Sequence, residues 1–378
     1  MNATVLNNAI RKYGISFLFG CWLLITVLHL YLYGIGTTLE AEKYIGEANR
    51  LINRQGFTEV RYVFYSLTIF IIWLSLTIKI GLSGAVVIQA LYNLFALFFF
   101  FKSLRQIFNS EVYPFAITLL LIVFSPYSSW TVYLYTESVF YSSCLLLLAA
   151  LINYIFSKNA KTFFFLLISM LLVILARPLG ILFLAPVWLF LFVDVKRKTK
   201  FILIPIAIAG CVLFVYISNI VFSTTNDANS TLAAQTDCII CGIRSPSPHA
   251  IKITSDGSQV YQLYYYIINN FEHFLQLGTI RLKYFFLMTR SYYSNLHNLF
   301  LLAFMIPLYF FTIISWFILK GRTYRPIYIF QLSSIFIFAV AVMLQCDDFH
   351  NRFILALFPF FLTITAKTIE HVLERKKS

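Results

Sequence analysis

Long apolar runs separated by short polar stretches repeat along this chain from end to end. Runs near 20 residues have the length needed to cross a bilayer as α-helices. Ten are read as spans: 15–34, 82–101, 113–124, 133–156, 162–176, 179–193, 201–222, 299–319, 327–344 and 353–372. The pattern predicts an all-α, polytopic membrane protein, one integral membrane domain over 1–378. The run 15–34 is too long for a signal-peptide core and lacks a small-residue cleavage site, so it reads as a retained anchor.

Composition agrees. Sixty per cent of residues are hydrophobic, 12% are charged, and the mean hydropathy is +0.81. The 41 Phe and 24 Tyr suit lipid-facing and interfacial positions. The net charge of +14 raises the question of nucleic acid, and its distribution answers it. Six basic stretches punctuate the spans: Arg11/Lys12, Lys102/Arg105, Lys158/Lys161, 196–200, Lys320/Arg322/Arg325, and Lys367 with 375–377. Placed together on the cytoplasmic side, they give 17 Lys and Arg against 4 acidic residues there, and 12 against 11 outside. The excess is an orientation signal, which excludes nucleic-acid binding and predicts cytoplasmic termini. The abundance of Ile, Asn, Lys and Phe and the compact size lean to a bacterial inner membrane.

One apolar run, 60–80, breaks the alternation. Residue 34 lies outside and Lys102 inside, so a further crossing between them is forbidden by parity. The run is expected to lie in the outer interface or to re-enter, making 35–81 a first outer loop with juxtamembrane helices. The other long outer segment is 223–298, loop-like over 226–258 and aromatic over 262–290, where an interfacial amphipathic helix is expected. Cytoplasmic loops are short, so chemistry is expected on the outer face.

Four groups of residues there could carry chemistry. Glu40, Glu42 and Glu47 cluster after the first span, and Glu40, Tyr44 and Glu47 have the spacing of one helical face; a solvated surface helix would look the same. Glu137 follows Thr136 at the mouth of a span, where a carboxylate implies a polar cavity, a partner or the helix dipole. Arg177-Pro178-Leu179-Gly180 joins two spans by a tight turn, and its Arg is suited to a phosphate or to lipid headgroups. Asp347, Asp348, His350 and Arg352 precede the last span, where the aspartates and His could hold a divalent cation or form a solvated turn. Cys238-x-x-Cys241 lacks the further ligands of a zinc site and could close a local disulfide; Cys346 could pair with either. Asn229-Ser230-Thr231 is a glycosylation sequon, meaningful in a eukaryotic host. No P-loop, dinucleotide-binding glycine motif or Gly-x-Ser-x-Gly occurs. A lipid-linked donor is the natural substitute.

In their order along the chain, Glu40 with Tyr44 and Ala48, Ser125-Pro126, Thr136-Glu137, Ala176-Arg177-Pro178-x-Gly180 and His350-x-Arg352-Phe353 resemble the GT-C superfamily of polytopic glycosyltransferases. The resemblance is greatest to the bacterial branch of aminoarabinose transferases and protein O-mannosyltransferases, and covers nearly the whole chain. It implies inverting transfer of a sugar from a polyprenyl-phosphate donor to a glycan, lipid or protein acceptor at the outer face. It implies Glu40 as the catalytic carboxylate where the family carries Asp, with Glu42 as its rival and Glu137 as the second acidic position. Arg177, Arg352, Arg281, Lys283 or Arg290 would face the leaving phosphate. The site is expected between 35–80, Glu137, Arg177 and 345–352. The rivals are an envelope-polysaccharide polymerase or ligase, and a lipid or oligosaccharide transporter. The first would carry a highly charged outer loop and the second mid-membrane ionisable residues, and this sequence has neither.

Overall fold

A computed structural model describes residues 3–195, 197–223, 234, 237–240, 243–244, 251–254, 256–319, 324–346 and 349–375. The chain is α-helical apart from one two-stranded antiparallel hairpin, β1 (Cys238–Ile240) with β2 (Ile243–Arg244), among the described residues. It divides into two compact units. The first comprises Met1–Phe183, Phe311–Ile327 and Phe358–Ser378, the second Leu184–Phe310 and Tyr328–Leu357.

The first unit opens with α1 (Ala3–Tyr33), α2 (Glu40–Ile52), a 3-10 turn at Val60–Tyr65 and α3 (Ser66–Thr77). α4 (Gly81–Leu104), α5 (Val112–Val123), the short α6 (Ser125–Ser128), α7 (Thr136–Ser157) and α8 (Ala160–Ala176) follow. The second unit holds α9 (Leu184–Asp194), α10 (Arg197–Ser223), α11 (Gln259–Asn269) and α12 (Phe271–Leu287). α13 (Asn295–Ile318), α14 (Arg325–Leu344) and α15 (Arg352–Arg375) contribute to both.

Seven helices among the described residues are long and apolar enough to cross a membrane, eight if the pair Val112–Val123 and Ser125–Val132, bent by 68°, is one span. The chain is a multi-pass membrane protein. The expected spans 15–34, 82–101, 133–156, 299–319, 327–344 and 353–372 each fall on such a helix. Three others meet shorter apolar helices, Ala160–Ala176, Pro178–Asp194 and Leu203–Tyr216. At 1.5 Å per residue, the 17 residues of α8 reach about 26 Å, just short of a hydrocarbon core of about 30 Å. The bend falls where Pro126 starts α6, a position its fixed φ favours. Val60–Thr77, which parity set apart, also passes on length and composition. Its α-helical part, α3, is only 12 residues.

α7 is a central helix, with 83% of its best 18-residue window buried. It lies parallel to α4, and polar side chains zip the two. Gln89 Nε2 donates to the Thr131 and Tyr133 carbonyls at 2.8 and 2.7 Å. Asn93 accepts from Trp22 Nε1 and donates to Ser142, both at 3.1 Å, while Tyr92 meets Ser143 at 2.8 Å. Asn153 donates to Ser103 at 2.8 Å lower down. Between helices in an apolar medium such bonds hold register, at about 0.6–2 kcal/mol each.

The two ends of this unit differ chemically. At one end Glu111 takes Arg105 at 2.7 Å and Arg11 at 3.5 Å, Lys367 pairs with Glu370 at 2.6 Å, and Asn109 donates to Glu370 and Glu374. At the other, Gly36 bridges the segment before α7: its N–H donates to Val132 at 3.1 Å and its carbonyl accepts from Leu134 at 3.0 Å. A Cβ on Gly36 would stand 2.1 Å from the Tyr133 ring, so only glycine permits the approach. Both ends of α3 belong to this second end. Tyr65 before it packs its ring at a tilt against Tyr44 of α2, centroids 5.5 Å apart, and Ser75 donates to the Gly81 carbonyl at the start of α4.

Asn93→Leu is expected to lower the unfolding free energy in detergent by roughly 1–2 kcal/mol, because Trp22 loses its acceptor and Ser142 its donor from α4, although Ser142 keeps the Ser138 carbonyl. Thermal unfolding followed by circular dichroism measures it, and an unchanged midpoint would show that the seam contributes nothing.

Candidate functional site

α2 is amphipathic. Ala41, Tyr44, Glu47 and Ala48 are buried, which marks one face at the i, i+3, i+7 spacing. Glu40 and Glu42 stand in the first turn, where the helix dipole favours negative charge. The inward face separates the three carboxylates. Glu47 is buried and accepts from the N–H of Thr58 at 3.1 Å and from its hydroxyl, clamping the loop that follows. Glu42 is exposed, and Glu40 is half-buried at the edge.

Tyr44 is the residue around which the site gathers. It is 5% exposed. Burial first, and then the proximity of Tyr65, Glu40 and Glu137, push the pKa of its phenol well above the usual tyrosine value, while Arg177 opposes the shift. Glu40, Glu137, Arg177 and Tyr65 are therefore all within electrostatic reach of one hydroxyl. Tyr44 is neutral at physiological pH and can donate a hydrogen bond.

Glu137 is wholly buried in the first turn of α7 and is ion-paired with Arg177, whose Nη1 donates to Oε1. The local sequence explains how Arg177 arrives there. A residue before proline is driven out of the α region, so α8 ends and Arg177 is extended, at φ −163°. Pro178–Phe183 then turns as a 3-10 helix, with the Gly180 N–H on the Arg177 carbonyl at 2.8 Å. A Cβ on Gly180 would stand 2.2 Å from the Val173 carbonyl oxygen, so this turn closes on α8 only with glycine. The 3-10 turn before α3 packs on α8 and on this turn.

The cations expected to face a phosphate divide differently. Arg177 is engaged by Glu137. Arg281 is 1% exposed, donating from Nε to the Cys238 carbonyl at 2.8 Å and from Nη1 to the Met343 carbonyl at 2.9 Å, and burial lowers its basicity. Arg290, also 1% exposed, donates to the carbonyls of Tyr284 and Thr289. Arg352, buried, begins α15. Lys283 is exposed, because residues two apart on a helix face nearly opposite ways, so Arg281 and Lys283 do not form one grip. The segment 262–290, expected as one interfacial helix, is broken at Asn270 into α11 and α12. Arg177, Glu40 and Glu137 belong to the first unit, Arg281, Lys283, Arg290 and Arg352 to the second.

Three side chains of the second unit form a chain the sequence did not announce. Asp237 meets His273 Nε2 at 2.7 Å, and His273 Nδ1 meets the Tyr266 hydroxyl at 2.8 Å. Burial pushes the Tyr266 phenol up to about 12. The seven-residue spacing of Tyr266 and His273 was the available signal. Asp347, Asp348, Cys241 and the sequon 229–231 lie outside the described residues. His350 is exposed, and no group of three His, Cys, Asp or Glu that could hold a metal occurs among the described residues. No family model matches this chain, and no curated protein or solved structure matches it.

Arg177→Ala is expected to cost roughly 3–5 kcal/mol of stability, because it strands a buried carboxylate, and the double variant Glu137→Leu/Arg177→Met should recover most of the loss. Gly180→Ala should cost about 1–3 kcal/mol by overpacking. Unfolding midpoints in detergent check all three; a double variant no better than Arg177→Ala would show that the pairing is not what the bundle depends on.

Proposed function

We propose that this chain is a membrane glycosyltransferase that moves a sugar from a polyprenyl-phosphate donor to an acceptor hydroxyl at the outer face of a bacterial inner membrane. The observation that carries the reading is the buried Glu137–Arg177 ion pair, with Tyr44 and Glu40 of α2 within its electrostatic reach. It lies at the end of the first unit away from the Arg11, Arg105 and Lys367 charges, which the positive-inside rule assigns to the cytoplasm. On this reading both termini are cytoplasmic, about ten segments cross the membrane, and α2 and α3 lie along the outer interface. The attachment of both ends of α3 to one end of the unit supports that position.

The division of labour follows from exposure. Glu40, half-buried beside the neutral phenol, is the general base and takes the proton of the acceptor hydroxyl. The acceptor oxygen forms its bond to the anomeric carbon from the face opposite the phosphate. The bond from that carbon to the phosphate oxygen breaks, its electron pair leaves with polyprenyl phosphate, and the configuration inverts. Glu137 is occupied with Arg177 and fixes the local field. Glu42, on the exposed face, takes no part.

The test is transfer of radiolabelled sugar from a polyprenyl-phosphate sugar in membranes. Glu40→Gln should lower the rate by about 10²–10⁴-fold, the usual worth of a general base, and Glu42→Gln should leave it within about twofold. Full activity in Glu40→Gln would overturn the assignment.

A further inference from the structure

Within the second unit, α12 gathers the hairpin and the end of α14 around itself. Leu277 packs with Ile239 and Ile240 of β1 in one buried cluster, flanked by Ile280 and Tyr284. α12 also meets α14 at Gly278, where a Cβ would stand 3.5 Å from the Met343 Cβ. Arg281 joins the two neighbours. Its Nε donates to the Cys238 carbonyl at 2.8 Å and its Nη1 to the Met343 carbonyl at 2.9 Å. About two turns earlier on α12, His273 Nε2 meets Asp237 at 2.7 Å and holds the start of the same strand.

This bracket brings two cysteines to one guanidinium. Cys238 is the residue whose carbonyl Arg281 takes, and Cys346 comes one turn after Met343, just past the end of α14. Burial lowers the basicity of Arg281, and negative charge on Cys346 and on Cys238 opposes that shift, so both sulfurs lie within its electrostatic reach. Cys238 is buried, with its Sγ donating to the Ile240 carbonyl at 3.3 Å, and Cys346 is half-buried.

We propose that Cys238 and Cys346 form a disulfide that staples β1 to the end of α14. The oxidant is a disulfide, either a small molecule or the active-site disulfide of a thiol oxidase. The half-buried Cys346 thiolate attacks first. A bond forms between its Sγ and one sulfur of the oxidant, and the other sulfur leaves as a thiolate. The Cys238 thiolate then attacks the Cys346 Sγ, the mixed disulfide breaks, and the second sulfur of the oxidant leaves. Two electrons pass from the cysteines to the oxidant, and the two cysteine protons end on its thiols. The nucleophile in each step is a thiolate, which a guanidinium within reach favours. The link closes a long loop, from 238 to 346, and so removes open conformations from the unfolded chain. In cells the link needs an oxidising compartment, and there it rests on the outward orientation proposed above; in the purified protein it does not.

Purified full-length protein in detergent is treated with glutathione disulfide, blocked with N-ethylmaleimide, digested without reduction and mapped by mass spectrometry. The expected product is a peptide pair joined through Cys238 and Cys346. It should form in the wild type and in Cys241→Ser, be absent in Cys238→Ser and Cys346→Ser, and come apart in dithiothreitol. The oxidised wild type should also melt higher than Cys346→Ser treated alike, and dithiothreitol should abolish the difference. A link from either cysteine to Cys241, or both thiols found alkylated after glutathione disulfide, would overturn the pairing. The same mapping on cells alkylated before lysis separates the two readings: a link that forms only in the purified protein counts against the outward orientation and not against the pairing.

Discussion

A carboxylate with no exposed surface in a bundle of apolar helices persists only if a cation meets it, and in the first unit Arg177 meets Glu137. Much of the local architecture serves that one pair. Pro178 ends α8 at the right residue, Gly180 lets the next turn close on Val173, and Arg177 is left extended and aimed inward. On the other side, Gly36 and Gln89 strap the segment before α7 and so fix where Glu137 stands. Such a pair adds little net stability over apolar residues of similar size. Its effect is specificity, because a slip of α7 against α8 would leave an unpaired charge in an apolar medium.

The same pair sets the electrostatics around α2. Tyr44 feels Glu40 and Glu137 together, and Arg177 offsets part of their charge. Glu47 resembles these acids in the sequence and differs in environment. Its oxygens accept from Thr58, so it closes the loop after α2 and leaves Glu40 as the carboxylate at the edge of the buried face.

Most long helices were legible because a span of apolar residues is a local signal: α1, α4, α7, α13, α14 and α15 each lie on an expected run. Arg177-Pro178-Leu179-Gly180 was legible as a special turn for the same reason. Its partner was not, since Glu137 lies 40 residues away and pairing is a tertiary fact. Arg281 shows the opposite error. Its charge suggested an anion, yet β1 and α14 each bring a carbonyl to it, and burial turns a candidate ligand-binder into a bracket holding β1 to α14. The length test on Val60–Thr77 and the parity count disagree because hydropathy measures how apolar a helix is, not where its ends are fastened.

Why one carboxylate of α2 and not another should act follows from helix geometry. A helix turns 100° per residue, so Glu40 and Glu42 differ by about 200° and cannot face the same cavity. Once Ala41, Tyr44 and Ala48 are buried, Glu42 must face outward, while Glu40, four residues before Tyr44, falls beside the phenol. Exchanging their roles would require rotating α2 by half a turn, which would expose Tyr44 and pull Glu47 from Thr58. The identity of the candidate base is thus fixed less by its own chemistry than by the two alanines and the tyrosine that decide which way the helix lies.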